Sequence, residues 1–175
     1  MKNINWNSVE AVENFKRIEA GGYICGITSA EDFANKEYLK LEFDIIEGEH
    51  KGYYRDLYNR RGFWGGSFIR SYKENALGFF KKFLNAVEAS NPNYKFNNDE
   101  KTLRGKALGL VLGYEEYIAN SGEVKERIYV ADIVSTGDIQ AHNFVTPKLK
   151  KLAGQSDNTL DFEPIDDDDD DLPWN

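Results

Sequence analysis

The stretch KGYYRDLYNRRGFWGGSFIRSYK, residues 51–73, gathers side chains suited to one kind of surface chemistry. It holds six bases (Lys51, Arg55, Arg60, Arg61, Arg70 and Lys73), one acid (Asp56) and seven aromatic residues (Tyr53, Tyr54, Tyr58, Phe63, Trp64, Phe68 and Tyr72). Cations track phosphates, and flat rings stack on unpaired bases. A stacked base contributes roughly 1–3 kcal/mol, and every base offers a π-face, so the combination suits an unpaired polynucleotide of any sequence. The cations add a salt-sensitive term through counterion release. Gly62, Gly65 and Gly66 surround Phe63-Trp64. Glycines permit backbone angles that other residues resist, so this loop can carry its rings close to a ligand. The candidate contacts are Lys40, Tyr53, Arg55, Arg60, Arg61, Phe63, Trp64, Phe68, Arg70, Tyr72 and Lys73. Packing is the competing use of the same rings: Tyr53 or Tyr54 could equally face a core, since strand positions alternate.

Other chemistry has few candidates. Two histidines, His50 and His142, come without a Cys-x-x-Cys or HExxH arrangement, so a zinc site is not expected. No GxxxxGK[ST] loop is present, which excludes a P-loop ATPase. Asp44, Asp56, Asp132 and Glu42 could form a nuclease-like metal cluster. At strand positions such carboxylates more often face solvent as partners of Lys and Arg. The expectation is therefore binding without catalysis, metal or cofactor. Cys25 is the only cysteine, so no intramolecular disulfide can form. A small buried hydrophobe in a reducing cytoplasm is expected. The start, MKNINWNS, has no apolar stretch after its lysine and does not read as a signal peptide. No window approaches the roughly 20 apolar residues of a membrane span.

The net charge of −8 would repel nucleic acid if it were spread evenly. Residues 157–175 hold nine acids and no Lys or Arg, leaving 21 acids against 22 bases in residues 1–156. The folded part is thus near neutral and the acidity belongs to a tail. That tail ends DFEPIDDDDDDLPWN. Six consecutive aspartates repel one another, and an apolar Leu-Pro-Trp tip follows. A partner with a small hydrophobic pocket ringed by Lys or Arg would read both parts. Solubility alone gives no reason for a terminal tryptophan.

The elements that must position these residues are legible as periodicity. A short helix is expected over 6–16, with Trp6 as a packing anchor. Strands are expected over 22–29, 37–46, 52–58, 106–117 and 125–135. Leu39, Leu41, Phe43 and Ile45 alternate with Tyr38, Lys40, Glu42 and Asp44, the clearest case. In the fourth strand Gly109 and Gly113 alternate with the leucines and allow a bend or the close approach of another backbone. A helix over about 74–89 carries Leu77, Phe80, Leu84 and Val87 on one face and stops at Asn91-Pro92-Asn93. Strand, strand, strand, helix, strand, strand is the element order of the five-stranded OB-fold barrel. We therefore expect a mainly β OB-fold domain over 1–153 and a disordered acidic tail over 154–175, with the chain beyond 146 already linker. Glu31, Asp32 and Glu37 in the first loop, and Glu115, Glu116 and Glu123 near the last, would repel phosphate. The binding track should then lean on the third strand and on Lys40, Lys73, Lys81 and Lys82.

Two resemblances sharpen these expectations. DDDLPW resembles the extreme C-terminus of bacterial single-stranded DNA-binding proteins, Asp-Asp-Asp-Ile-Pro-Phe, through Asp169, Asp170, Asp171, Leu172, Pro173 and Trp174. In that family the aromatic residue ends the chain; here Asn175 follows it. The resemblance implies docking of replication, recombination and repair proteins on the tail. AGGYICGI, EYLKLEFDI, EGEHKGYYRDLY, GFWGGSFIRSYKENALGFFKKF and GKALGLVLGYEEY together resemble a family of small phage proteins read as single-stranded DNA-binding proteins. This implies a phage or prophage origin, an OB-like core and action in the cytoplasm of a bacterial host. Two other readings stay open: a protein-interaction adaptor that binds no DNA, and a strand-annealing recombination accessory. Self-association is expected to be compatible with any of them, since one barrel covers few nucleotides.

Overall fold

The computed structural model describes residues 2–9 and 16–153. Its centre is one five-stranded antiparallel sheet in the order β3-β2-β1-β4-β5, built from β1 (Gly21–Phe33), β2 (Tyr38–Ile45), β3 (Ser67–Ser71), β4 (Ala107–Ile118) and β5 (Val124–Val134). Helix α1 (Tyr53–Arg61) precedes β3, α2 (Leu77–Ser90) separates β3 from β4, and the short α3 (Thr136–Gln140) follows β5. The mainly β, five-stranded expectation holds. The sheet is not closed, because no ladder joins β3 to β5. Helix α2 lies beside that seam, where Lys82 pairs with Asp132 of β5.

Period-2 alternation sets the core. Leu39, Leu41, Phe43 and Ile45 of β2 face inward with Cys25 and Ile27 of β1 and Leu108, Leu110 and Leu112 of β4. Phe83 and Val87 of α2 close this cluster, together with Leu103 from the turn before β4. Cys25 is fully buried, and burial pushes its thiol pKa up, so it is inert filling.

The third strand is a correction. Residues 52–58, expected as a strand, form most of α1, and the strand beside β2 is Ser67–Ser71. Aromatic residues favour strands only in so far as they find a pleated, half-buried surface. Here Tyr54 and Leu57 recur at a helical step and pack on the core. Buried Asp44 supplies the helix start: its Oδ1 accepts from the backbone N–H of Tyr54 at 2.9 Å and of Ile45 at 2.9 Å. The expectation of a solvent-facing carboxylate therefore fails for Asp44. Gly62 ends the helix in the left-handed region (φ 76°), its N–H donating to the Tyr58 carbonyl.

The other face of β1 and β4 carries a second, smaller core of Ile24, Val111 and Ile139, flanked by Val134 and Phe144. Gly109 permits it: a Cβ there would lie 2.7 Å from the Ser135 carbonyl oxygen and 2.6 Å from Ile139. The chain beyond 146 is docked at first rather than linker. Pro147 sits over Gly113, and Lys150 exchanges backbone hydrogen bonds with Tyr114 and Glu116 on the stretch of β4 that β1 leaves unpaired. At the other end of the chain, the described part of the expected 6–16 helix is a single 3-10 turn, Trp6–Ser8. Trp6 is 62% exposed and anchors nothing on the described body. Residues 10–15 and the tail 154–175, including Asp169 to Trp174, lie outside the described residues.

Candidate nucleic-acid interface

A bulge in β1 between Ile27 and Ser29 reverses which side chains face the core. Beyond it Ser29, Glu31 and Phe33 share the outer face with Tyr38, Lys40 and Glu42 of β2 and with Ser67, Ile69 and Ser71 of β3, as the register pairs them. Helix α3 and its continuation cover the outer face only over β1's first half and β4. Over β2 and β3 no described element covers it, and Ile69 is 54% exposed. Phe33 and Tyr38 stack there with centroids 5.0 Å apart and planes 21° apart. Lys40 stands beside them, 3.8 Å from Glu42.

Helix α1 packs against β2, with Tyr54 edge-on to the inward Phe43. Its start is held by Asp44, which follows Glu42 on the outer parity of β2. The side chain of Arg55 is 71% exposed, with Nε 3.9 Å from Asp44 Oδ2. Arg60 and Arg61 occupy the last turn, where the carbonyl end of a helix favours cations. Phe63 follows, 55% exposed. Tyr58 is also exposed and leans on Trp64 at 6.2 Å.

The remaining candidates divide. Trp64 is half-buried: its ring packs on the core and its Nε1–H donates to the Gly66 carbonyl at 3.0 Å. Tyr53 lies half-buried, edge-on to Tyr54 at 5.1 Å. Phe68 points inward between Phe43 and Phe83, so its ring is committed to the core. Arg70 shares that inward parity, with its guanidinium 5.4 Å from the Phe68 ring. Its Nε has no hydrogen-bond partner, and burial lowers its pKa. Tyr72 donates from its hydroxyl to Asp32 Oδ1 at 2.8 Å; this bond, followed by burial, raises its pKa. Lys73 is exposed.

The structure thus puts Arg60, Arg61 and Phe63 at the end of α1, with Arg61 within electrostatic reach of Tyr53, and Arg55 beside Asp44 nearer its start, while Lys40 stands on the open sheet face. Phe68 and Arg70 are turned away from that face, and Tyr72 packs on Phe80 of α2. Sequence reasoning missed Phe33 as a ring on this face, because the bulge that turns it outward leaves no mark in the periodicity. Tyr38 was readable, since it alternates with the buried leucines of β2. Asp44, Asp56, Asp132 and Glu42 do not converge: among the described residues no group of three or more metal-ligating side chains forms. No helix among them is long and apolar enough to cross a membrane. No protein-family model and no curated relative matches the chain.

Proposed function

We propose that this protein binds single-stranded DNA with little sequence preference and recruits replication or recombination proteins through its acidic tail. The observation that carries the reading is the exposed Phe63 directly after Arg60 and Arg61 at the end of α1. Rings for bases and cations for phosphates meet there in a body of near-zero net charge. The strand order, with α2 between β3 and β4, is that of an OB-fold opened at its β3–β5 seam, which supports assigning this chain to OB-type barrels. The sequence resemblances support a phage or prophage origin and action in the cytoplasm of a bacterial host.

Titration of a labelled oligo-dT by fluorescence anisotropy at two salt concentrations tests the reading. Tight binding that weakens with salt, and weakens further in Arg61→Ala and Phe63→Ala, is the expected result. Glu31 and Glu42 on the open face favour one alternative, an adaptor that holds a protein there. Failure to retain oligo-dT near physiological salt would overturn the DNA-binding reading and favour that alternative.

A further inference from the structure

Between α2 and residues 96–100 lies an apolar cleft of about 480 Å³. Leu39, Leu77, Phe80, Leu84 and Phe96 line it, and Asp32, Lys81 and Glu100 contribute its charges. Its rings meet at steep angles, Tyr72 on Phe80 at 88° and Phe80 on Phe96 at 58°, so none offers parallel faces to sandwich a base. Two carboxylates beside an apolar hollow also disfavour a phosphate chain. The cleft is a seat for a side chain.

The same chain carries a side chain without a seat. Residues 2–9, KNINWNSV, are exposed throughout, and among their large apolar side chains Trp6 is the most exposed. Asn5 caps the turn that presents Trp6, accepting from the Asn7 N–H, so the ring is locally oriented yet packs on nothing described. A tryptophan buries on the order of 150–250 Å² once seated, and leaving it in water forgoes that gain. The only charged residue of 2–9 is Lys2, which suits the Asp32 and Glu100 carboxylates; neither carboxylate has an ion pair among the described residues. Trp174 lies outside the described residues, and the six aspartates before the Leu-Pro-Trp tip would be repelled by those carboxylates.

The arm's own cleft is poorly placed for it. The arm enters the body at Arg17, which stacks 3.5 Å over Tyr114 and pairs with Glu126, just before β1 begins. Asp32 stands at the other end of β1, about 35 Å along the strand at its ordinary rise. The residues between Trp6 and Arg17 span at most about 40 Å when fully extended, at a heavy cost in conformational entropy. A second copy faces no such limit.

We propose that the N-terminal arm of one copy seats Trp6 in the α2 cleft of a second copy, and that the exchange is reciprocal. Such a contact is isologous and closes as a dimer. Sedimentation velocity on the full chain across a concentration series reads it directly. Trp6→Ala removes the exposed knob, and Leu77→Arg blocks the half-exposed mouth; neither touches the core. Each variant is expected to weaken the dimer by about thirtyfold or more, the usual size of a central tryptophan contact. Mixing the two variants restores one arm in one cleft, so a heterodimer should form where neither variant self-associates. Trp174→Ala should leave the dimer intact. A wild-type chain that stays monomeric throughout, a Trp6→Ala dimer of undiminished strength, or dissociation by Trp174→Ala overturns the proposal. None of these outcomes depends on DNA binding, so the inference stands or falls apart from the proposed function.

Discussion

Phe63 and Trp64 are neighbours in the chain with different surroundings. Phe63 is more than half exposed, whereas Trp64 leans on the core and donates to the Gly66 carbonyl. Phe63→Ala should therefore cost roughly 1–3 kcal/mol in oligo-dT affinity while leaving the urea midpoint nearly unchanged. Trp64→Ala should lower stability by about 2 kcal/mol or more through lost packing. Anisotropy titrations and urea denaturation on the same samples separate the two, and equal loss of stability in both would place Phe63 in the fold. Gly66 explains why the rings part. A Cβ there would come 2.4 Å from the Phe43 carbonyl oxygen and 2.8 Å from the Tyr54 ring, and Phe43 N–H donates to the Gly66 carbonyl at 2.8 Å. The glycines around these rings were legible as a loop that could approach something closely. That Gly66 approaches the protein's own β2 was not, because its partner lies 23 residues upstream and no local pattern encodes the pairing.

At the scale of the element, α1 shows how one buried carboxylate outweighs propensity. Asp44 holds the N–H groups of Tyr54 and Ile45, and both would lose their acceptor in Asp44→Ala. We expect that change to cost about 2 kcal/mol or more, since a buried unsatisfied donor costs roughly 1–3 kcal/mol. Asp44→Asn retains an acceptor oxygen and should cost less, and denaturation midpoints of the pair measure the difference. The sequence showed Asp44 on the outer parity of β2 and an aromatic-rich stretch over 52–58 after it, which reads as strand next to strand. Only the turn through left-handed Gly52 brings Tyr54 back to Asp44. β2, α2 and the β4–β5 hairpin were legible because their signals are local: strict alternation, a three-and-four-residue step, and the turn residues Asn120-Ser121-Gly122. Helix α3 has a local signal of another kind, a capping box. Ser135 Oγ accepts from the Asp138 N–H, and the Asp138 carboxylate accepts from Ser135 and Asn143. The Ser135 side chain, then Asn143, hold the Asp138 pKa below its ordinary 3.8. A depressed carboxylate pKa means that the unfolded chain binds the proton first as pH falls. The cap's contribution is full above pH 3.8 and is lost below it, as pH falls through the folded value. Asp138→Asn should therefore reduce stability near neutral pH and lose its difference from the wild type in strong acid, as urea midpoints across pH will show.

At the scale of the molecule, the open seam and the uneven charge decide how binding would respond to its surroundings. The seam lies between the two strands that an OB barrel would join, and an ion pair from α2 bridges toward β5 there, through Lys82 and Asp132. Strand order was within reach of the sequence, since hairpins and the helix position limit the topologies. Closure was not, because it depends on long-range contact between β3 and β5, which share no local signal. Charge is the term that acts over the whole chain. Residues 1–156 hold 21 acids against 22 bases, and the nine acids of 157–175 are tethered to them. A tethered polyanion competes with DNA phosphates for Arg55, Arg60 and Arg61 at high effective concentration. That competition is electrostatic, so it spans about 10 Å in ~0.1 M salt and only about 3 Å in ~1 M. Deleting residues 166–175 should therefore tighten oligo-dT binding at low salt, and the gain should shrink steadily as salt rises. Phe63→Ala should lose a similar factor at every salt concentration, because stacking carries no charge. Paired anisotropy titrations of the truncated chain and of Phe63→Ala along one salt series resolve the two terms. A truncated chain that binds more weakly at low salt would instead make the tail part of the DNA-binding surface and undo the separation of a binding body from a recruiting tail.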